Sequence, residues 1–471
     1  MRRYFGSLAL MFSAVLLLVS CLSTDDDTTS LDDDTAITSF SLTNARMTVH
    51  TTSSKGNDST YVITSTDVAN YTFQIDQLKG EIYNLDSLPV GVDARKILCS
   101  YSTKNSGLAY IQSLEKADSL PYLQTTDTID FSHPRKIKVV STSGKFNREY
   151  TVRVNVHQED PDSFRWQRLP DFASVADAQG MKMVAFAGKM LLFVGKGSAT
   201  MLYATDGKGD NRWTAVAADQ EFGGTLYTNV VVKNDSLFVL DAGENDSRLF
   251  VSVDGQHFEL VDEHSAVRQL VGGCTTELYA LSKAGSMMVS YDGGRSWTAD
   301  DMDDADSYLP SRDIMAHCTS FAYSPNTDKV LLTGNRSVDD YAADSTAVVW
   351  RKIVEYSTYS RDTEWNYIKY DRANSKPLPR LDHLVVLPYA NHWIAFGGKG
   401  VGACTKEAYS QIYYSDDDGL TWSADARFAF PSGFDRTAET TAAVDADHFV
   451  WMVTSAGQVW KGRLNELGWK K

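Results

Sequence analysis

The sequence predicts an all-β protein in two folded units, and three observations carry that expectation. Over residues 36–158, short β-branched and aromatic runs alternate with polar turns, the mark of half-buried strands. Over residues 163–471, paired apolar runs recur in groups of about four strands, the period of a β-propeller. Within that second stretch, Ser290 to Trp297 and Ser415 to Trp422 share the pattern S-x-D-x-G-x-[ST]-W.

The first twenty residues form a separate element. Arg2 and Arg3 precede an uncharged apolar run from Phe5 to Val19, too short for a membrane span of about 20 residues but suited to a secretory signal. The segment Leu18-Val19-Ser20-Cys21 resembles a bacterial lipobox. The resemblance implies cleavage after residue 20 and acylation of Cys21, and several acyl chains on one residue anchor stably where one is marginal. Residues 21–35 are polar and carry the clusters Asp25-Asp26-Asp27 and Asp32-Asp33-Asp34, so they are expected to form a flexible tether. An acidic cluster behind a lipidated cysteine is similar to the export signal of Bacteroidota surface lipoproteins. It implies the outer face of the outer membrane, the periplasmic face being the alternative.

In residues 36–158, Tyr61-Val62-Ile63, Tyr71 to Ile75, Ile137 to Val140 and Tyr150 to Val156 read as strands, and Ser143-Gly144-Lys145 as a hairpin turn. About seven strands in this length predict an immunoglobulin-like β-sandwich. The segment Gly80 to Gly91, with Thr128 to Phe131 and the closing Tyr150 to His157 strand, resembles the N-terminal module of a Bacteroidota lipoprotein family of unknown function. Members of that family pair the module with a C-terminal propeller.

The propeller stretch, residues 163–471, supports six blades, or seven if the segment between Trp297 and Trp365 holds one more. Phe164 to Gln167 is expected to pair with the last blade and close the ring. The two matching turns, built on Ser290, Asp292, Gly294 and Trp297 and on Ser415, Asp417, Gly419 and Trp422, are similar to the Asp-box (BNR repeat) of sialidase-like and sortilin-like propellers. The aspartate accepts turn N–H bonds, the glycine takes a positive φ, and the tryptophan leads the next strand into the packing between sheets. These roles are structural. Shorter echoes stand at Ser252 to Phe258 and at Ala204 to Gly207.

The net charge of -16 and pI near 5.0 exclude a general nucleic-acid binder, which needs a basic surface. The chain has no P-loop, no G-x-G-x-x-G opening a helix, and no H-E-x-x-H. Cys99, Cys274, Cys318 and Cys404 match no zinc spacing, and Cys274 and Cys404 read as small buried hydrophobes. No metal and no cofactor is expected. The acidic run Asp300 to Asp306 lacks the spacing of an EF-hand and reads as a solvated loop.

Candidate site residues are those placed just before innermost strands: Arg268, Arg312, Arg380, Asp382, His383 and Arg436, accompanied by Asp313, Asp435 and Glu439. Brought to one rim, the arginines would hold carboxylates or sulfates by forked hydrogen bonds, or else bridge neighbouring blades. The resemblance to sialidases implies three arginines, a tyrosine nucleophile and an acidic pair. Their first blade carries an Arg-Ile-Pro-like segment, whereas the corresponding strand here reads Gly180-Met181-Lys182-Met183-Val184. The sequence therefore favours a non-catalytic surface module that binds glycan or protein and reaches the membrane through its lipid. The alternatives are a glycoside hydrolase acting on an acidic sugar and a scaffold in an envelope complex.

Overall fold

A computed structural model describes residues 31–52, 58–116, 118–207, 212–243, 246–321, 324–356, 363–370, 374–425 and 427–468. Cys21, the apolar leader and Trp469 lie outside the described residues. The chain divides into two compact units between Asp160 and Pro161.

The first unit contains two sheets around one core. A three-stranded sheet runs Asp58–Ser65, Ile37–Thr52, Val92–Thr103, and a five-stranded sheet runs Phe73–Asp76, Glu81–Asn84, Asn147–Arg153, Arg135–Val140, Leu108–Ile111. Alternation sets the faces: Arg135, Ile137 and Val139 are buried while Lys136 is exposed. Ile37, Phe40 and Leu42 of the first sheet pack with Ile82, Ile137, Val139, Tyr150 and Val152 of the second. The Tyr150 hydroxyl ties the layers, donating to Gln77 Oε1 at 2.7 Å and accepting the Ile37 amide at 3.1 Å. The expected hairpin forms, with Ile137 opposite Tyr150. The tether ends sooner than residue 35. The Asp32 amide donates to Thr142 Oγ1, and the Ser143 hydroxyl donates to Asp33.

The second unit is a series of antiparallel meanders. Four sheets have four strands each, and a fifth sheet of eight strands is two such meanders joined at the parallel bridge between Gly272 and Ala316. The stretch between Trp297 and Trp365 holds three successive strands, Arg312–Ser320, Thr327–Asn335 and Val348–Glu355. Phe164–Leu169 completes the last meander beside Val459–Leu464, so the start of the unit is hydrogen-bonded to its end.

Packing follows the same order. Each apolar cluster lies between one meander and the next: Phe186 and Leu191 against Val230 and Val239, then Leu240 and Leu249 against Val267 and Leu278. The series closes on itself, because Met181, Met183 and Leu192 of the first meander pack with Trp451 and Val453 of the last. Closure leaves the sheets no face without a partner.

The S-x-D-x-G-x-[ST]-W turns join the third and fourth strands of their meanders. In the first, the Ser290 hydroxyl donates to Asp292 Oδ1 (2.8 Å) and accepts the Gly294 amide (2.7 Å), while Asp292 accepts the Ser296 amide (2.9 Å) and hydroxyl (2.6 Å). The second repeats this bond for bond: Ser415 to Asp417 (3.0 Å), Gly419 to Ser415 (3.0 Å), and the Thr421 amide (2.8 Å) and hydroxyl (2.6 Å) to Asp417. Gly294 and Gly419 stand at φ +91° and +80°, which a side chain resists. A Cβ at either would also meet a leucine of the preceding meander, Leu249 or Leu331, at 2.2 or 2.7 Å.

The acidic run departs from its expected solvated loop. Asp300 accepts the Lys352 amine and the Trp365 indole N–H, Asp303 accepts the Tyr367 amide, and Asp304 pairs with Lys369. The run has fixed cationic and N–H partners on the next meander, which no local pattern announces.

Candidate functional site

The first strands of the meanders, Gly180–Phe186, Val230–Lys233, Val267–Gly273, Arg312–Ser320, Val385–Tyr389 and Thr440–Val444, all contribute to the walls of one cavity of about 810 Å³. Polar and apolar groups share the wall almost evenly. The ionisable groups fall into two sets, one where these strands begin and one within them.

At the leading ends stand Tyr227, Arg268, Arg312, Asp313, His383 and Glu439. His383 Nδ1 lies 3.3 Å from Glu439 Oε1, and its Nε2 lies 3.6 Å from Asp382 Oδ2. Arg312 reaches the same Asp382 at 3.8 Å. The Glu439 hydrogen bond, reinforced by the charges of Asp382 and Asp313, holds the His383 imidazole above the usual histidine range. Burial pushes the Asp313 carboxyl above the usual aspartate range, although Asn335 Nδ2 donates to it at 2.9 Å. Asp313 and His383 both have left-handed backbone, φ 52° and 48°.

Tyr227 was not picked out by sequence reasoning. Its hydroxyl donates to the Gln179 carbonyl at 3.3 Å, and its ring lies over the paired glycines Gly180 and Gly195, where any Cβ would clash at 2.4 to 2.6 Å. Burial and the Glu439 carboxylate raise its pKa. The missed signal was two glycines, at the start of one strand and the end of the next, leaving room for an aromatic ring.

Within the strands the cavity has Lys182 and His317. Among the described residues Lys182 makes no ion pair or hydrogen bond. The residue is half-buried in the cavity wall, and burial brings its pKa down to about 8. Burial, then the charge of Lys182, brings His317 down to about 4.

The predicted site residues separate into three groups. Arg268, Arg312 and His383 line the cavity, and Asp382 joins them through its ion pairs. Arg380 does not reach it. Its side chain is fully buried, donating through Nη1 to the Tyr341 carbonyl (2.6 Å) and through Nη2 to the Arg336 carbonyl (2.6 Å), so it fastens the loop after Arg336. Arg436 is exposed and off the cavity wall, and Asp435 caps its own turn at Thr437. The expected ring of four arginines is therefore two at the cavity, which Asp313 and Glu439 also line. Asp292 and Asp417 lie on different sheets and neither borders the cavity. Among the described residues no group of His, Cys, Asp and Glu is arranged to hold a metal.

A second cavity, of about 610 Å³, is lined by Lys376, Lys406, Tyr413, Trp422 and Cys404. Cys404 is thus half-buried in a cavity wall, where the sequence suggested a buried hydrophobe, while Cys274 is buried as expected.

Comparison with known proteins agrees with the architecture. Residues 160–471 match the DUF6242 beta propeller domain, and residues 40–154 match the N-terminal domain of the same domain of unknown function, DUF6242. No curated protein matches in sequence. Among solved structures the chain is similar to the GH74 enzyme of Niastella koreensis, at 17% identity and TM-score 0.35 over 62% of this chain and 47% of that one. It is also similar to YCF48 from Cyanidioschyzon merolae, at 13% identity and TM-score 0.32 over 63% and 98%. A third similarity is to BamB from Moraxella catarrhalis, at 10% identity and TM-score 0.30 over 64% and 98%. Likenesses this distant carry no argument for an activity.

Proposed function

Because the chain belongs to the DUF6242 family, matching its N-terminal and β-propeller domains in turn, we propose that it is a lipid-anchored surface protein whose propeller binds a polar ligand, glycan or protein, without transforming it. In this reading Cys21 carries the lipid on the outer membrane, and the N-terminal unit is an immunoglobulin-like spacer. The propeller has six blades: among the described residues the stretch after Trp297 supplies one meander and no second, which argues against seven. The repeated Ser–Asp–Gly turns act as Asp-boxes, and their bond-for-bond likeness supports that identification.

One observation carries the binding proposal. Six strand beginnings deliver charged and polar side chains of both signs to the mouth of a single cavity of a size that suits a small ligand. The mouth groups are already paired with one another, Arg312 with Asp382 and His383 with Glu439, which suits recognition by exchange of partners. The test is a glycan array with the chain from Leu22 onward, comparing wild type with the Arg268→Ala, Arg312→Ala double variant. Binding that the double variant loses supports the proposal.

A hydrolase reading is favoured by one specific observation: Asp313, held toward its protonated form by burial, lines the same cavity as Tyr227 and Glu439. Turnover of any glycoside that Asp313→Asn and Tyr227→Phe each abolish would replace the binding proposal with this one. The lipid anchor is tested separately by radiolabelled palmitate, expected in wild type and absent in Cys21→Ala.

A further inference from the structure

We infer that the interior of the channel is an anion site, in which Lys182 and His317 receive the carboxylate of an acidic sugar. This rests on the proposal that the channel is the ligand site, and it names the chemistry of the ligand.

Four observations converge. Lys182 interrupts an apolar strand, Met181-Lys182-Met183-Val184, where a methionine or valine would fill the same wall without desolvating a charge. Its amine has no carboxylate of its own among the described residues. The second basic group within these strands, His317, lines the same cavity, and the Lys182 charge helps hold its imidazole low. Of the described residues on the cavity wall the acids are Asp313 and Glu439, and neither forms an ion pair with Lys182.

An unpaired cation beside a second basic group is costly to bury, and the cost is removed when an anion sits between them. Near neutral pH Lys182 carries the charge and His317 does not, which matches a group of one negative charge. A donor for its oxygens is at hand. Thr441 Oγ1 accepts the Met183 amide at 3.0 Å and keeps its own hydrogen to donate. A sugar carboxylate has one charge and two acceptor oxygens, and its ring hydroxyls would meet the mixed charges of the mouth.

The experiment follows the His317 ring proton by NMR in the full-length protein, titrated in buffer alone, with sodium glucuronate and with glucose. Glucuronate is expected to raise the His317 midpoint by about one unit or more, a tenfold preference for the protonated form, and glucose to leave it in place. The shift should vanish in Lys182→Met and survive in Lys182→Arg. An equal midpoint in glucuronate and glucose, or a shift that persists in Lys182→Met, overturns the inference. Array binding without any His317 shift would leave the surface-binding proposal standing and remove the anion site. A His317 shift in a protein that binds nothing on the array would do the reverse.

Discussion

Lys352 Nζ lies 2.9 Å from Glu277 Oε2 with neither side chain reaching solvent. Asp300 completes the group, at 2.8 and 2.9 Å from the same amine, and the Tyr279 hydroxyl donates to Glu277 at 2.6 Å. These residues come from two successive meanders, so the network bolts one to the other. Burial alone would lower the lysine pKa, but Asp300 and Glu277 outweigh it and hold the amine above its ordinary range. The pair's contribution is then complete at neutral pH, begins to fade once alkali passes the ordinary lysine value, and is gone above the raised one.

Removing one partner of such a group strands the others. Lys352→Met is expected to cost about 3 to 5 kcal/mol, because two carboxylates lose their cation where water does not reach. Urea denaturation checks it, and a loss below about 1 kcal/mol would show that the network is not dry.

The opposite sign is expected at Lys182. With no anion supplied, Lys182→Met should stabilise the protein by about 1 kcal/mol or more, since it removes an unpaired buried amine. A lower melting temperature for this variant than for wild type would contradict the placement.

His317 makes stability depend on acid. Its imidazole titrates near 4 when folded and near 6.5 when unfolded, so the unfolded chain binds the extra proton between those values. Stability should fall as pH drops from about 6.5 to 4 and level off below. His317→Gln should flatten that limb in a series of thermal melts; a slope of unchanged size would assign it to other groups.

The two Ser–Asp turns should respond alike and leave ligand binding untouched. Asp292→Ala and Asp417→Ala each remove hydrogen bonds to one amide and two hydroxyls, an expected loss of about 1 to 2 kcal/mol. The Ser296 hydrogen bonds hold Asp292 at about 2, below its unfolded value, so its contribution is present above pH 4 and is lost as pH falls toward 2. Array binding lost along with stability would refute the purely architectural role.

Thiol labelling separates the cysteines. Cys404 borders a cavity and should alkylate in the folded protein, whereas Cys99, buried in the first unit with its pKa pushed up to about 11, should label only in denaturant. Mass spectrometry of peptides from native and denatured samples reads this directly.

Much of the architecture was legible because its signals are local. Alternation in Arg135 to Val140, the Ser143-Gly144-Lys145 turn and the spacing from Ser290 to Trp297 each encode a strand or a turn within a few residues. Arg268, Arg312 and His383 could be placed at the mouth for the same reason: each directly precedes a run that reads as a first strand. Arg380 satisfies that rule equally well and yet is buried, since its partners, the carbonyls of Arg336 and Tyr341, come from a loop some forty residues earlier in the chain.

By itself the sequence determined which segments are strands, where the tight turns fall and that the second unit repeats, because backbone preference and side-chain periodicity act over short range. Only the tertiary structure decided which charges lack a partner. Lys182 and Lys352 are both lysines in apolar strands, and nothing within ten residues tells them apart. One meets Glu277 and Asp300 from the neighbouring meander, and the other lines the cavity with His317 and has no ion-pair partner among the described residues, because burial and pairing depend on what the closing of the sheets brings alongside.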